Sequence, residues 1–245
     1  MGMGMPRKAK KTLIAVGVVV ATVCAIYLGG SLIGVGVANN MLASNRGSEP
    51  TQPTFPQYRI QHTSLDFPLM QQRETVSFVS GDVSLKGYLY KVDAPHGLVV
   101  AVHGFRGSAN DDNSQYQNYF LERGWNVFSF DLRGHGSSGG NGLNSLYEPV
   151  RNTKDALAYI AARNDLSGLP ICMVGYSCGG YAAVMASGES ESIKAVAAFS
   201  AYNCSGDIYF TAAENYVHMP LWGFKPGLDF ALRALVTVLS TRRKR

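Results

Sequence analysis

One serine stands in a pattern that suits a nucleophile. Residues 175–179 read GYSCG, which matches G-x-S-x-G, and Gly180 follows. The apolar run ICMVGYS predicts a strand that ends at Ser177, and the small residues CGGYAAVMASG predict a helix that begins directly after it. The two flanking glycines leave room for such a sharp turn. The serine hydroxyl would lie at the positive end of the helix, where it can attack a carbonyl carbon.

A second motif, His103-Gly104-Phe105, ends the run GLVVAVHG, which is typical of a strand buried on both faces. Acyl transfer needs backbone N–H groups aimed at the developing oxyanion. The predicted donors are the amide of Cys178, next after the serine, and the amide of Phe105. His103 has two interpretations. We favour a structural histidine that braces this loop over a catalytic base.

A third motif, DLRGHGSS, occupies residues 131–138 after another apolar run. With HGF and GYSCGG in this order and spacing, the sequence resembles the α/β-hydrolase superfamily from residue 74 to about residue 240. It is most similar to bacterial membrane-anchored enzymes of the serine aminopeptidase and monoacylglycerol lipase-like group. The resemblance implies that Asp131 and His135 belong to a structural loop near the site. It also implies cleavage of carboxylic esters or amides through an acyl-enzyme on Ser177.

The resemblance further implies an acid and then a histidine after the serine, and here the sequence departs from the family. Only 245 − 177 = 68 residues follow Ser177, with neither a late strand ending in an acid nor a terminal Gly-His. His218 is the only later histidine, either a stand-in base or, as we favour, a surface or cap residue. Asp207, Glu214 and Asp229 are the later carboxylates considered. We therefore expect a truncated chain that lacks the last strand–helix units.

The elements that must position these motifs follow from the hydrophobic pattern. TVSFVS and VSLKGYLYK alternate around Gly81-Asp82 and predict a β-hairpin. Four later apolar runs predict buried strands: GLVVAVHG, WNVFSFDLRG, ICMVGYS and IKAVAAFSA. The segments between them predict helices, over residues 110–123, over residues 148–163 and directly after Ser177. This alternation predicts an α/β fold, with a mostly parallel sheet, an antiparallel start and helices on both faces. The last run, KAVAAFSA, would form an apolar edge that the helical segment LDFALRALVTVLS can cover.

The N-terminus predicts localisation. Residues 12–38 carry no charge and follow four cations within the first eleven residues. A bilayer core needs about 20 apolar residues, so we predict a transmembrane signal anchor, with a cleaved signal peptide as the alternative. The positive-inside rule places residues 1–11 in the cytoplasm and the rest of the chain outside. Residues 39–73 are predicted as a stalk, 74–206 as the hydrolase core, and 207–245 as a cap-like helical segment with a basic tail.

Charge and cysteines narrow the classes of function. The net charge is +5, but eight cations lie in the two terminal segments, so the rest sums to +5 − 8 = −3. This distribution argues against a nucleic-acid groove. Cys172 and Cys178 are interpreted as packing residues, and no motif predicts a metal or cofactor. The partners expected are a small ester or amide substrate and the membrane, with the oligomeric state left open. The alternative function is an inactive hydrolase-like membrane protein or binding module.

Overall fold

The computed structural model describes residues 7–44, 67–110, 114–143 and 145–203, together with residues 207, 208 and 211. The chain divides into two compact units, one of residues Asn39–Ser205 and one formed by the two ends of the chain. Near the N-terminus, helix α1 spans Arg7–Ser44. Over the described residues, no helix combines the length and the hydropathy needed to cross a membrane.

The unit of residues Asn39–Ser205 follows the predicted alternation of strands and helices. In chain order its elements are α2 (Pro68–Gln71), β1 (Arg73–Ser80), β2 (Val83–Tyr90), β3 (Leu98–Val102), α3 (Ser114–Leu121), β4 (Asn126–Phe130), α4 (Glu148–Ala161), β5 (Ile171–Tyr176), α5 (Cys178–Ala186) and β6 (Ile193–Phe199). The hairpin predicted around Gly81 is confirmed, because β1 and β2 pair along their whole length and Gly81 has a φ of 63°.

The sheet order is β1-β2-β4-β3-β5-β6. Strand β2 is antiparallel to β1 and β4, whereas β3 runs parallel to β4 and β5, and β5 runs parallel to β6. The predicted α/β fold with an antiparallel start is therefore confirmed. Because the carboxyl ends of β3, β4 and β5 lie at one edge of the sheet, the three motifs that follow these strands are brought to the same edge.

Helices cover both faces of the sheet, as predicted. On one face, Phe128 and Phe130 of β4 pack in a core cluster with side chains of α4 and α5, among them Leu157 and Ala182. On the other face, Val127 packs in a second cluster with residues of α2 and α3. Every residue of β3 and β4 is buried, including the polar Asn126 and Ser129 of β4, and this agrees with the apolar sequence of β3 and the largely apolar sequence of β4.

Two details differ from the sequence prediction. Strand β6 lies at the sheet edge as expected, but it is not a buried strand, because five of its seven residues are exposed, including Phe199 at 55%. The predicted stalk of residues 39–73 also contributes to the core. Met70 of α2 is 1% exposed and packs in the cluster that contains Tyr88 and Val99. An apolar pattern shows that a side chain can be buried, but the neighbouring elements decide whether it is.

Candidate active site

Ser177 joins β5 to α5 in a strained backbone conformation. Its φ of 52° and ψ of −119° are unusual for a residue that carries a side chain. The Ser177 N–H donates to the carbonyl of Phe199 on β6 at 2.8 Å, and its carbonyl accepts from the Tyr181 N–H at 3.0 Å. The predicted strand–serine–helix turn is thus present, held by backbone bonds on both sides. The serine side chain lies at the N-terminus of α5 and is half-buried.

The glycines of the GYSCGG motif permit this turn. A Cβ on Gly175 would overlap the backbone of Gly179, and a Cβ on Gly179 would overlap the carbonyl oxygens of Val102 and His103. The first turn of α5 therefore packs directly on the end of β3. This contact brings the loop after β3 against the serine. A Cβ built on Gly104 would lie 3.5 Å from the Cβ of Ser177.

The loop after β3 presents a backbone amide. The carbonyl of Gly104 accepts from the His103 Nδ1–H at 2.6 Å and from the Gly107 N–H at 3.1 Å. In a planar trans peptide the C=O and N–H groups point in opposite directions, so the Phe105 N–H points away from the His103 ring. Among the described residues, this N–H has no hydrogen-bond acceptor. Phe105 is therefore suited to the predicted role of oxyanion donor, together with Cys178, the first residue of α5.

His103 is fully buried and both of its ring nitrogens are engaged. Its Nε2 accepts from the Leu132 N–H at 2.9 Å, so the neutral ring carries its proton on Nδ1. Desolvation, reinforced by the nearby His135 ring, lowers the pKa of His103 to about 3. A ring without a free lone pair does not serve as a general base. The structure thus supports the interpretation of His103 as a brace for the loop.

His135 is arranged in the same way. Its Nδ1–H donates to the carbonyl of Arg133 at 2.8 Å, and its Nε2 accepts from the Arg106 N–H at 3.1 Å. Burial lowers the pKa of this ring as well. Its two nitrogens join the DLRGHGSS loop to the loop after β3. The sequence did not reveal this link, because it depends on Arg106 adopting a φ of 64°.

The buried Asp131 holds the DLRGHGSS loop in place through hydrogen bonds to its carboxylate. Its Oδ1 accepts from the Ala109 N–H at 2.8 Å, and its Oδ2 accepts from the Ser137 N–H at 2.9 Å and from the Tyr88 hydroxyl at 3.1 Å. Desolvation raises the pKa of this carboxyl although these bonds oppose the shift. Both carboxylate oxygens of Asp131 thus accept hydrogen bonds from the loop and its neighbours. This arrangement supports the structural role implied by the family resemblance.

We expect Asp131→Asn to lower the free energy of unfolding by about 2–4 kcal/mol, because one amide N–H group would face a buried donor and leave it unsatisfied. Urea unfolding of the full chain in detergent measures the change. Asp93→Asn, on an exposed turn, is the matched control and should stay within about 0.5 kcal/mol of the wild type. Equal unfolding midpoints for the two variants would contradict the assigned role.

Stability should fall as the pH decreases below neutrality. The folded-state pKa values of His103 and His135 are lower than the usual 6.5, so below that pH the unfolded chain binds more protons than the folded chain. His103 alone then removes about 2 kcal/mol between pH 7.5 and pH 5. The raised pKa of Asp131 acts in the opposite direction and offsets part of this loss.

Urea unfolding at several pH values measures this dependence. The His135→Gln variant should lose less stability than the wild type over the same interval, since it lacks one of the two titrating rings. A free energy of unfolding that is constant or increases from pH 7.5 to pH 5 would show that the two rings do not titrate as described.

The described residues do not supply a base for Ser177. Among them, the Ser177 hydroxyl has no hydrogen-bond partner, and His103 and His135 are committed to backbone groups. His96, the third histidine of the described part, precedes β3 and so lies at the opposite end of the parallel strands from Ser177. Of the other residues considered from the sequence, Glu214, His218 and Asp229 lie outside the described residues, and Asp207 belongs to the other compact unit.

The cysteine interpretation holds for Cys178, which is 1% exposed and belongs to the core cluster of α4 and α5. Cys172 is half-buried in β5, and burial raises the pKa of its thiol. A raised thiol pKa reduces the fraction of reactive thiolate at neutral pH.

Comparison with known proteins agrees with this geometry. The sequence model of the family described as serine aminopeptidase, S33, matches residues 93–241. The uncharacterized protein YqkD of Bacillus subtilis is 25% identical over 231 residues, which cover 91% of this chain and 71% of that protein. A 31.7 kDa protein from the traX-finO intergenic region of Escherichia coli is 28% identical over 123 residues, covering 49% of this chain and 42% of its own length.

A solved structure shows the same fold. Esterase Pf2001 of Pyrococcus furiosus aligns with a TM-score of 0.50 and 22% identity over 62% of this chain and 61% of its own chain. The chain thus spans less than two thirds of that esterase. Since the family model matches well over half of the residues, including all three motifs, the chain belongs to the serine aminopeptidase S33 family and is an α/β hydrolase.

Proposed function

We propose that this protein is a membrane-anchored serine hydrolase that cleaves small carboxylic esters or amides. In this proposal Ser177 attacks the carbonyl carbon, and the amides of Phe105 and Cys178 stabilise the oxyanion. The leaving group departs from the tetrahedral intermediate, and water then hydrolyses the acyl-enzyme. The observation that carries the proposal is the strained Ser177 at the start of α5. It lies next to a loop in which the Phe105 N–H points away from the His103 ring that holds the Gly104 carbonyl.

The alternative is a hydrolase-like membrane protein that does not turn over substrate. It is favoured by one observation: within residues 67–203, the ring nitrogens of His103 and His135 are bonded to backbone groups, and His96 lies at the opposite end of the parallel strands from Ser177. The candidate base that the sequence offers is His218. A serine without a base keeps only the contributions of the oxyanion donors and of substrate binding.

Labelling of the full chain in detergent with a fluorophosphonate probe separates these functions. We expect covalent labelling that mass spectrometry maps to Ser177, and none after heat denaturation. His218→Gln then tests the candidate base and should slow labelling by orders of magnitude if this histidine activates Ser177. Absence of labelling in a chain with a cooperative unfolding transition would reject the enzyme and favour the inactive alternative.

The membrane anchor is a second part of the proposal. It is supported by the charge-free run of residues 12–38 and by large apolar side chains that are exposed along α1, such as Val19 at 61% and Val23 at 60%. A helix that is apolar all round is suited to a lipid environment. The cations before residue 12 support an orientation with the N-terminus in the cytoplasm and the hydrolase unit outside.

Fractionation of bacterial cells tests the anchor. The full chain should remain in the membrane pellet after carbonate extraction, and protease added to spheroplasts should digest the hydrolase unit. In the double variant Val19→Arg, Val23→Arg, each charge costs about 2.5–3.5 kcal/mol at a helix centre, so insertion should fail. Val79→Arg, another exposed valine in β1, is the matched control and should stay in the membrane fraction. Extraction of the wild-type chain by carbonate would contradict the anchor.

A further inference from the structure

Two large side chains lie next to Ser177, at the ends of neighbouring strands. Tyr176 is the last residue of β5, Phe199 is the last residue of β6, and the two are direct partners in the parallel pairing of these strands. Side chains at paired positions leave a sheet on the same face, and side chains alternate between the two faces along each strand. Tyr176 and Phe199 therefore share the face of Val174, which belongs to the second core cluster.

Both aromatic side chains are half exposed, although most of their surface is apolar. Tyr176 is 51% exposed and Phe199 is 55% exposed, whereas Val174, two residues earlier on the same face, is 4% exposed. Over the part of the chain that the structure describes, the packing on this face thus ends before the last residue of each strand. Small-molecule sites are lined mainly by apolar and aromatic side chains, so an exposed aromatic surface beside a nucleophile suits the binding of a substrate.

The Tyr176 ring lies against the loop that carries the proposed oxyanion donor. A Cβ built on Gly104 would lie 3.1 Å from Cδ1 of Tyr176 and 3.5 Å from Cβ of Ser177. The ring edge and the serine therefore approach the same side of Gly104, and the next peptide nitrogen along the loop is that of Phe105. A substrate that presents its carbonyl carbon to the Ser177 hydroxyl must place the groups bonded to that carbon beside these residues.

An aromatic group of the substrate suits this surface better than an alkyl group. A flat ring can pack on Tyr176 in an offset-stacked or edge-on arrangement, and such pairs gain free energy beyond the burial of their apolar area. An alkyl group would gain only from the burial of its area. Phe199 carries no polar atom in its side chain and extends the exposed aromatic surface at the neighbouring position. The two residues therefore favour substrates that carry an aromatic ring.

We propose that Tyr176 is a specificity-determining residue, whose ring packs against an aromatic ring that the substrate carries beside its scissile ester or amide bond. This inference rests on the proposed function and narrows its substrates to esters and amides of aromatic acids, phenols or anilines. The aromatic ring can belong to the acyl group or to the leaving group, because both are bonded to the carbon that Ser177 attacks. Tyr176 binds the substrate and takes part in no covalent or proton-transfer step.

Two pairs of esters measure this preference in the full chain in detergent. Phenyl acetate and ethyl acetate differ in the leaving group, whereas methyl benzoate and methyl acetate differ in the acyl group. For each variant, the ratio of kcat/KM between the two esters of a pair cancels any loss that affects both equally. We expect Tyr176→Ala to lower this ratio about 10-fold in at least one pair, mainly through a higher KM for the aromatic ester. The pair that responds identifies the side of the scissile bond that carries the ring.

Three further variants complete the test. Tyr176→Phe keeps the ring and should leave both ratios within about 2-fold of the wild type. Phe199→Ala should lower the responding ratio by about 3-fold, because it removes the neighbouring part of the surface. Tyr119→Ala is the matched control, since Tyr119 is 50% exposed near the end of α3, and it should leave both ratios unchanged. Ratios that Tyr176→Ala leaves unchanged in both pairs would overturn the inference.

Photolabelling gives a readout that does not require turnover. In the Ser177→Ala chain, 4-benzoylphenyl acetate should bind without being hydrolysed, and irradiation should couple its benzophenone group to nearby side chains. We expect mass spectrometry to find the label on Tyr176 or Phe199, and excess phenyl acetate should reduce this label at least about 5-fold more than the same concentration of ethyl acetate. Labelling only elsewhere in the chain, or equal competition by the two esters, would overturn the inference even if the Tyr176 variants fail to fold.

The inference and the proposed function fail in different ways. A folded wild-type chain that hydrolyses none of the four esters and reacts with no fluorophosphonate would reject the proposed function. The photolabel would then decide whether an aromatic ring binds beside position 177. Hydrolysis by the wild type, with unchanged ratios in Tyr176→Ala, would overturn the role of Tyr176 and leave the proposed function intact.

Discussion

Gly179→Ala is expected to lower the free energy of unfolding of the hydrolase unit severely. Gly179 lies in the first turn of α5, where alanine would normally improve helix formation. Here, however, the added methyl group would overlap the carbonyl oxygens of Val102 and His103 at the end of β3. Both neighbours are backbone atoms of buried residues at the end of β3 and cannot rotate away. We expect a loss of more than about 4 kcal/mol, which is a large share of the roughly 5–15 kcal/mol by which a typical domain is stable.

Gly188→Ala is the matched control for this prediction. A Cβ at Gly188 would have no heavy atom within 4 Å, and the same substitution there should be neutral or raise the free energy of unfolding by up to about 1 kcal/mol. Circular dichroism and urea unfolding of the two full-length variants measure the difference. A Gly179→Ala chain that unfolds at the same urea concentration as Gly188→Ala would show that α5 does not pack on β3 as described.

The same contact explains why the sequence was informative about the site. Gly175 and Gly179 allow backbone to approach backbone, and only glycine permits that approach, so the motif spacing carries three-dimensional information. The central strands could be predicted from the sequence equally well. The fully apolar sequence of β3 and the largely apolar sequence of β4 are typical of strands with helices on both sides. The fold class, the position of each motif directly after a strand, and the place of Ser177 between a strand and a helix all follow from these two kinds of signal.

Other features depend on contacts that are distant in sequence. The left-handed Arg106 could not be predicted, because arginine has no local preference for that conformation and its stabilising partner, His135, lies 29 residues later. The exposure of β6 and the burial of Met70 are set in the same way by which elements lie next to them. The sequence did indicate that His103 and His135 were structural, for His103 as a brace of the loop in the HGF motif and for His135 through the family resemblance. Their hydrogen bonds now give the physical reason.

Ser177 is the other position where a small substitution should have a large effect. Ser177→Ala and Ser177→Gly both remove the hydroxyl, and each should lower any hydrolytic rate on the order of 10⁴-fold or more. The two variants should nevertheless differ in stability. A φ of 52° with a ψ of −119° strains every residue that carries a Cβ, and only glycine relieves this strain. Glycine also costs more conformational entropy on folding, which offsets part of the gain.

The net expectation is that Ser177→Gly is more stable than Ser177→Ala by about 1 kcal/mol in urea unfolding of the full chain. Ser167 provides a matched control, because it is exposed and has a φ of −64°, a value that any residue adopts. At that site the order should reverse, with the glycine variant less stable than the alanine variant. If alanine were also the more stable residue at position 177, the backbone there would not be strained. The surrounding glycines alone would then explain the position of Ser177, and the sharp turn would not reduce the stability of the fold.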